Sequence, residues 1–144
     1  MRKAVFSYFC GNSYRKDNTK MYEAIIERIK ERLTGRELSA VIIPHISPDG
    51  DAAGSCSALW QVLDKVGIQA QLMTCDYIPD YLKWLKRIPD AISFQNRPKE
   101  CKQWLHKADI LFMLDHNTVA REGDLEPFVK EFEGEVIMID HHPD

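Results

Sequence analysis

Histidine and aspartate side chains recur in three short stretches of the sequence, at spacings that suit metal chemistry. In the first stretch, HISPDGDAAGS at residues 45–55, His45 precedes two acids, Asp49 and Asp51. The Pro-Asp-Gly segment is typical of a turn, but a turn requires neither the histidine nor the second acid. A tight turn can aim one imidazole and two carboxylates into one concavity. The small residues that follow let a helix begin there, and its free N–H groups suit a phosphate.

The other two stretches follow apolar runs that are typical of buried strands. ILFMLDH ends with Asp115 and its neighbour, and VIMIDHH ends with Asp140, His141 and His142. Imidazole with a majority of carboxylates favours divalent cations, manganese first and magnesium or iron as alternatives, over a thiolate zinc site. Two such ions about 3.5–4 Å apart activate a water and hold both oxygens of a phosphoryl displacement. The chemistry indicated is phosphoester hydrolysis.

Each of these residues also has an ordinary structural interpretation. Asp51 can cap a helix and Asp49 can form an Asx turn. A single histidine at a strand end, such as His45, is more often structural. Asp115 and Asp140 can be caps or turn starters. A purely structural α/β domain requires all of these coincidences together.

Alternating strand and helix patterns must position the three stretches. Strands are predicted at residues 40–45, 70–75, 91–94, 110–115 and 135–140, and helices at residues 19–35, 58–66, 79–85, 98–107 and 125–132. This alternation is typical of an α/β fold with a mostly parallel sheet and helices on both faces. Ligands of such sheets bind at the carboxyl ends of the strands, where the three stretches should meet. Residues 1–18 show no convincing period and are predicted to be an amino-terminal lead-in.

Length and composition are those of one ordinary soluble domain. The chain has 144 residues, of which 44% are hydrophobic and 28% charged, and its formal net charge is −3. No apolar run approaches the roughly 18 residues of a membrane span, and no basic excess favours binding along a long polyanion. The four cysteines lack Cys-x-x-Cys spacing, which argues against a zinc knot or a redox pair. We expect reduced thiols, a cytoplasmic location and no membrane partner.

Residues 40–144 resemble the first three motifs of the DHH phosphoesterases. HISPDGDAAGS, LDHNTVAREG and the terminal DHHPD follow these motifs in order and spacing. The likeness is strongest to the NrnA-like branch of oligoribonucleases and 3′-phosphoadenosine phosphate phosphatases, whose members are also described as exopolyphosphatase-related. The resemblance implies that residues 19–144 form a DHH catalytic domain without its downstream part and its carboxy-terminal substrate-binding domain. Such a chain alone should be inactive or weakly active.

The resemblance also implies a set of metal ligands. One manganese ion is held by His45 and Asp49, the second is held by Asp51 and His141, and Asp115 bridges the two. Two divalent cations carry more positive charge than these three carboxylates balance while the histidines are neutral. A hydroxide or a downstream aspartate must supply the remaining anion.

Further residues are implied to position or bind the substrate. Asp140 orients His141, and His142 faces the scissile phosphate or the leaving group. Arg121 clamps a substrate phosphate, and Asn117 belongs to the same substrate-binding motif. The alternative for Arg121 is an exposed, solvated arginine.

No functional role is predicted for four other prominent side chains. His116 follows the bridging acid and is as consistent with a structural histidine as with a functional one. Trp60, Trp84 and Trp104 lie in helical patterns, which favours packing in the core or at an interface over stacking on bases.

Three functions remain open on the sequence. The first is hydrolysis of short oligoribonucleotides or nucleotide phosphates by a water that two metals activate. The second is inorganic pyrophosphate or polyphosphate cleavage, since similar motifs serve that chemistry. The third is a non-catalytic nucleotide or RNA-binding domain. The partners expected are a short RNA or nucleotide substrate and, since the sequence leaves the oligomeric state open, a second copy in a homodimer.

Overall fold

Six parallel strands form one sheet in the computed structural model of this chain. It describes the backbone of residues 5–9, residues 23, 24, 27 and 29–31, and all of residues 37–142. The strands are β1 (Val5–Phe9), β2 (Ser39–Pro44), β3 (Gln69–Thr74), β4 (Ile92–Ser93), β5 (Ile110–Leu114) and β6 (Glu135–Asp140). Their order in the sheet is β1-β6-β5-β2-β3-β4, and each neighbouring pair is parallel.

Three α-helices and three 3₁₀ segments connect the strands within residues 37–142. The helices are α1 (Gly50–Lys65), α2 (Pro98–Lys107) and α3 (Glu126–Lys130), and the 3₁₀ segments are Asp80–Leu82, Ile88–Asp90 and Val119–Leu125. The described positions between 23 and 31 are helical, as predicted, and the ends of that helix lie outside the described residues. The helix predicted at residues 79–85 is instead a short 3₁₀ segment. Only Leu82 is buried there among exposed neighbours, so packing does not support a longer helix.

The core has two halves, one on each face of the sheet. Ile42 of β2 packs in one half with Trp60 of α1, whereas Val41 and Ile43 pack in the other half with Leu105 of α2. Successive strand residues point to opposite faces, so a strand that is apolar throughout contributes to both halves. The predicted α/β fold with helices on both faces of a parallel sheet is confirmed.

Strand β1 is a difference from the sequence prediction, which gave residues 1–18 to a lead-in. Residues 5–9 pair in parallel with β6, and Phe9 lies opposite Asp140 in the register. The rest of that segment lies outside the described residues. A five-residue edge strand carries too little pattern to be recognised, and its partner lies at the far end of the chain.

The tryptophans and cysteines occupy different environments. Trp60 is buried, Trp104 is half-buried, and Trp84 is 79% exposed and therefore lies outside the core. Cys56, Cys75 and Cys101 are buried free thiols, as expected, whereas the prediction for Cys10 lies outside the described residues. No helix among the described residues is long and apolar enough to cross a membrane.

Candidate metal centre

Three adjacent strands bring the predicted site residues together. In the sheet, β5 lies between β6 and β2, and all three run in the same direction. His45 follows β2, Asp115 follows β5, and Asp140 ends β6. Their carboxyl ends therefore meet at one edge, as expected for a ligand site of an open α/β sheet.

Asp115 lies at the centre of this edge. Its carboxylate is buried, and histidines from both neighbouring strand ends approach it. His141 Nε2 lies 3.1 Å from Asp115 Oδ1, and His142 Nδ1 lies 3.6 Å from the same oxygen. His45 Nε2 lies 3.7 Å from Asp115 Oδ2. Both carboxylate oxygens thus face imidazole nitrogens.

Asp115 combines a strained backbone with a buried carboxylate. Its φ is +65°, a left-handed conformation that costs a residue other than glycine about 1–3 kcal/mol. Its Oδ1 is buried, and although His141 Nε2 lies 3.1 Å away, no donor in the described part of the chain meets this oxygen in hydrogen-bonding geometry. Burial raises the pKa of this carboxyl, and the charge of Asp51 raises it further. A buried acceptor of this kind, crowded by other carboxylates, fits a bound cation.

His45 is held with one nitrogen directed into the site. Its ring is buried, and Nδ1 lies 2.7 Å from the backbone carbonyl oxygen of Ile46. Since a carbonyl oxygen can only accept, Nδ1 carries the proton and donates it. In the neutral imidazole, Nε2 is then the nitrogen without a proton, and it faces Asp115 in the tautomer that a metal ligand requires.

Asp49 and Asp51 flank the start of α1. Asp49 is the N-cap, and its Oδ1 accepts from the backbone N–H groups of Asp51 and Ala52, both at 3.0 Å. The bond from Ala52 is the main reason that the pKa of Asp49 is lowered. Asp51 is exposed, and its Oδ2 lies 3.2 Å from His141 Nε2. The predicted Asx turn of Asp49 is therefore present, but the helix cap is Asp49 and not Asp51, which lies in the first turn. The same turn delivers both acids to the site.

Asp140 contacts a different histidine from the one that the resemblance implied. Its Oδ1 accepts a 2.7 Å hydrogen bond from Nδ1 of His142, not of His141. This bond is the main reason that the pKa of His142 is raised. His141 instead directs its Nε2 to Asp51 and Asp115, at 3.2 and 3.1 Å. The expected pairing of Asp140 with His141 is corrected accordingly.

Two groups of side chains among the described residues could each hold a metal ion. One consists of His45, Asp49 and Asp115, and the other of Asp115, His141 and His142. Within each group the candidate ligand atoms all lie within 4.8 Å of one another. Asp115 belongs to both groups, as a bridging ligand would. Asp51 reaches this edge through its contact with His141.

The loop after Asp115 carries the two residues predicted to bind substrate. Asn117 is half-buried, and Arg121 is exposed. The backbone oxygen of Arg121 accepts a 2.7 Å hydrogen bond from the N–H of Ile46, so this loop is tied to the loop after His45. The Arg121 charge also lies close enough to oppose the raised pKa of His142.

Glu122 is a residue that the sequence analysis did not single out. It is fully buried, as is His116, and its Oε1 lies 2.5 Å from His116 Nε2. Burial raises the pKa of Glu122. Burial opposes protonation of His116, but the hydrogen bond and the charge of Glu122, together with the bond to the Leu114 carbonyl, outweigh it and raise the pKa of His116. In a polar stretch such as HNTVAREGD, nothing distinguishes this glutamate from a solvated loop acid.

Comparisons with known proteins identify the family of this chain and a solved structure with a similar fold. The profile of the DHH family, N-terminal domain, matches residues 39–144. A crystal structure of an exopolyphosphatase-related protein from Bacteroides fragilis is similar, with a TM-score of 0.81 and 30% sequence identity. The match covers 85% of this chain and 36% of that one, so the chain spans about a third of the length of that relative. No curated protein matches the sequence.

Proposed function

Because the chain belongs to the DHH family, through the N-terminal domain of that family, we propose that it is the metal-binding part of a hydrolase that cleaves phosphoesters. The observation that carries this proposal is the convergence of three strand ends on Asp115, whose buried Oδ1 has no hydrogen-bond partner among the described residues. Ordinary caps and turns do not require that convergence.

Two manganese ions are the proposed cofactors. One ion would be held by His45 and Asp49, and the other by Asp51 and His141. Asp115 would be a ligand of both ions. Histidine with several carboxylates is a donor set that suits manganese. When bound, such ions supply a nucleophile at neutral pH and neutralise charge on the phosphoryl oxygens.

The remaining residues of the site would bind and orient the substrate. The exposed Arg121 is placed to donate to a phosphate from the loop beside Asp115. His142, oriented by its bond to Asp140, would face the scissile phosphate or leaving group. The helix dipole of α1 adds positive potential on the same edge, although the N–H groups of Asp51 and Ala52 already donate to Asp49.

A short oligoribonucleotide or nucleotide phosphate is the proposed substrate. The net charge of −3 gives no electrostatic reason to bind a long polyanion. Inorganic pyrophosphate or polyphosphate is the second candidate, and the name of the structural relative, an exopolyphosphatase-related protein, favours it. Phosphate release from pyrophosphate without cleavage of a dinucleotide would decide for the second candidate.

The test measures the rate at which the full-length natural protein and its Asp115→Asn variant hydrolyse a dinucleotide in the presence of manganese. Asparagine tolerates the positive φ and keeps the size of the side chain. We expect cleavage by the parent and a loss of more than about 100-fold in the variant, because even outer-shell partners of metal ligands are worth 10- to 100-fold. Manganese affinity, measured by calorimetry, should fall in parallel.

The matched control is Asp90→Asn, which changes an exposed aspartate outside the site. It should hydrolyse and bind manganese like the parent. Equal hydrolysis by the parent and Asp115→Asn would remove Asp115 from the mechanism. Nucleotide binding that persists with a chelator, with no hydrolysis by the parent, would instead indicate a non-catalytic binding domain.

A further inference from the structure

The buried contact between His116 and Glu122 is adjacent to the candidate metal centre, because His116 follows Asp115 in the chain and Glu122 lies near enough to His45 to sense its charge. We propose that this pair is a positioning element, which fixes Asp115 and Arg121 in place before a cation and a substrate phosphate bind. The proposal rests on the proposed function, because it assigns these two residues to the same reaction. Neither side chain is exposed, so neither touches the substrate itself.

The hydrogen bonds of His116 show how the pair tolerates burial. Nδ1 lies 2.9 Å from the carbonyl oxygen of Leu114, which can only accept, so Nδ1 donates. Nε2 lies 2.5 Å from Glu122 Oε1, and a contact between two such acceptors requires one proton between them. Whichever atom holds that proton, the pair is neutral as a unit. It can therefore be fully buried without an uncompensated charge.

The contact closes the loop that carries both functional side chains. His116 immediately follows Asp115, and Glu122 immediately follows Arg121. Fixing His116 to Glu122 fixes the backbone at both ends of the loop, including the left-handed conformation of Asp115. The hydrogen bond from Ile46 N to the Arg121 carbonyl extends the same constraint to the loop after His45.

Asp115 needs such a constraint because neighbouring carboxylates repel its own carboxylate in the position that it occupies. Oδ1 has no partner in hydrogen-bonding geometry in the described part of the chain, and the charges of Asp51 and Asp49 act against ionised Asp115, an effect that His142 and His141 only partly offset. A mobile carboxylate would turn away from these acids while no cation is bound. Holding it in place lowers the ordering cost when a cation binds.

Stability alone does not explain a polar pair at this position. A well-packed apolar pair of similar volume is often as stable as a buried ion pair or more so. Glu122 Oε2, moreover, has no hydrogen-bond partner among the described residues, so the carboxylate is not optimally satisfied. Hydrogen bonds fix the orientation of the groups they join more closely than apolar packing does. A metal ligand requires a fixed orientation.

The decisive experiment replaces both residues of the pair with apolar residues in the full-length natural protein. The double variant His116→Phe/Glu122→Met should unfold at or above the temperature of the parent. Its manganese affinity, measured by calorimetry without substrate, should fall by about 10- to 100-fold, and kcat for a dinucleotide at saturating manganese should fall in the same range. A double variant with the parent's affinity and kcat overturns the proposal.

The matched control removes a buried hydrogen bond of purely structural character. Ser57 is buried in α1, and its Oγ donates to the Lys86 carbonyl at 2.6 Å. Ser57→Ala should lower the melting temperature while manganese affinity and kcat stay those of the parent. If Ser57→Ala lowers affinity as the double variant does, the effect is general loosening and the positioning role is overturned.

Two conservative variants test the proposal even if the double variant does not fold. In Glu122→Gln the amide can donate to Nε2 of neutral His116, so the contact remains while the charge is removed. In Glu122→Asp the charge remains but the shorter side chain withdraws from the ring. A positioning role predicts that the glutamine variant keeps more manganese affinity and kcat than the aspartate variant. The reverse order overturns it.

Failure of this proposal is distinguishable from failure of the proposed function. If the parent binds manganese but hydrolyses no phosphoester, the function fails and the calorimetric comparison still decides the role of the pair. If the parent hydrolyses the dinucleotide and the double variant matches it, the positioning role alone fails. A parent that neither binds manganese nor hydrolyses overturns both.

Discussion

At the scale of single residues, Asp49 combines two roles that are usually separate. It caps α1 through hydrogen bonds from two backbone N–H groups, and it also belongs to one of the two candidate ligand groups. The Asx turn and the ligand role, which the sequence left open for this acid, are therefore compatible, and Asp49 is the helix cap as well. One oxygen serves the helix, and the carboxylate still lies near His45 and Asp115.

Two substitutions of Asp49 should separate the roles. Asparagine is as good an N-cap as aspartate, so Asp49→Asn should keep the free energy of unfolding of the metal-free protein but bind manganese more weakly. Asp49→Ala loses the cap as well and should cost about 1 kcal/mol in addition. Urea unfolding with a chelator and manganese calorimetry measure the two effects. Equal manganese affinity of parent and Asp49→Asn would exclude Asp49 as a ligand.

The lowered pKa of Asp49 adds a pH dependence with a definite sign. A carboxyl whose pKa is lower in the folded state stabilises the protein above its unfolded pKa, and this contribution is lost as the pH falls through the folded value. The parent should therefore lose this contribution to its free energy of unfolding below about pH 4. Asp49→Asn should lose less over the same range.

At the scale of elements, the 3₁₀ segment Val119–Leu125 depends on a glycine. Gly123 has a φ of +57° and a ψ of −131°, a region that is essentially restricted to glycine. A Cβ there would lie 2.7 Å from Cys75 Sγ and 2.9 Å from Ile46 Cδ1. The segment can therefore pass close to β3 and to the loop after His45 only with glycine at this position.

Gly123→Ala should consequently lower the free energy of unfolding by about 1–3 kcal/mol from backbone strain alone, and further through the overlap with Cys75. Gly54→Ala is the matched control, because a Cβ at this position in α1 meets nothing within 4 Å. That substitution should stabilise the protein by about 0.5–1 kcal/mol. Urea unfolding of the three proteins checks both signs. Equal stability of Gly123→Ala and the parent would contradict the conformation assigned to this segment.

At the scale of the whole molecule, the two ends of the chain meet in the sheet. Strand β1 pairs with β6, and β6 delivers Asp140 and, just beyond it, His141 to the candidate metal centre. The edge strand therefore supports an element of the site although it contributes no predicted ligand.

Deletion of residues 1–9 should therefore weaken the site as well as the fold. Without β1, the β6 amides at 135–140 should lose protection from hydrogen exchange, and manganese affinity should fall, because β6 becomes an edge strand. Deletion of residues 1–4 alone is the control, since it leaves the paired strand intact. Unchanged protection in the longer deletion would contradict the β1–β6 pairing.

The sequence by itself determined the fold class and the composition of the site. Apolar runs alternating with helical patterns indicated a parallel sheet. The acids and histidines at the ends of these runs indicated a metal site, because their residue types are those of metal ligands. Parallel strands share the direction of their carboxyl ends, so convergence of His45, Asp115 and Asp140 followed without coordinates. Local pattern was sufficient because each of these signals lies within a single element.

Only the tertiary structure decided which side chains meet. The pairing of Asp140 with His142, the burial of Glu122 against His116 and the pairing of β1 with β6 depend on backbone direction or on partners outside the local pattern. The sequence of a polar loop does not show whether its acid is exposed or buried. The sequence of a short edge strand does not identify its distant partner strand. Contacts across the sequence are set by how the elements pack, which residue types and spacing do not encode locally.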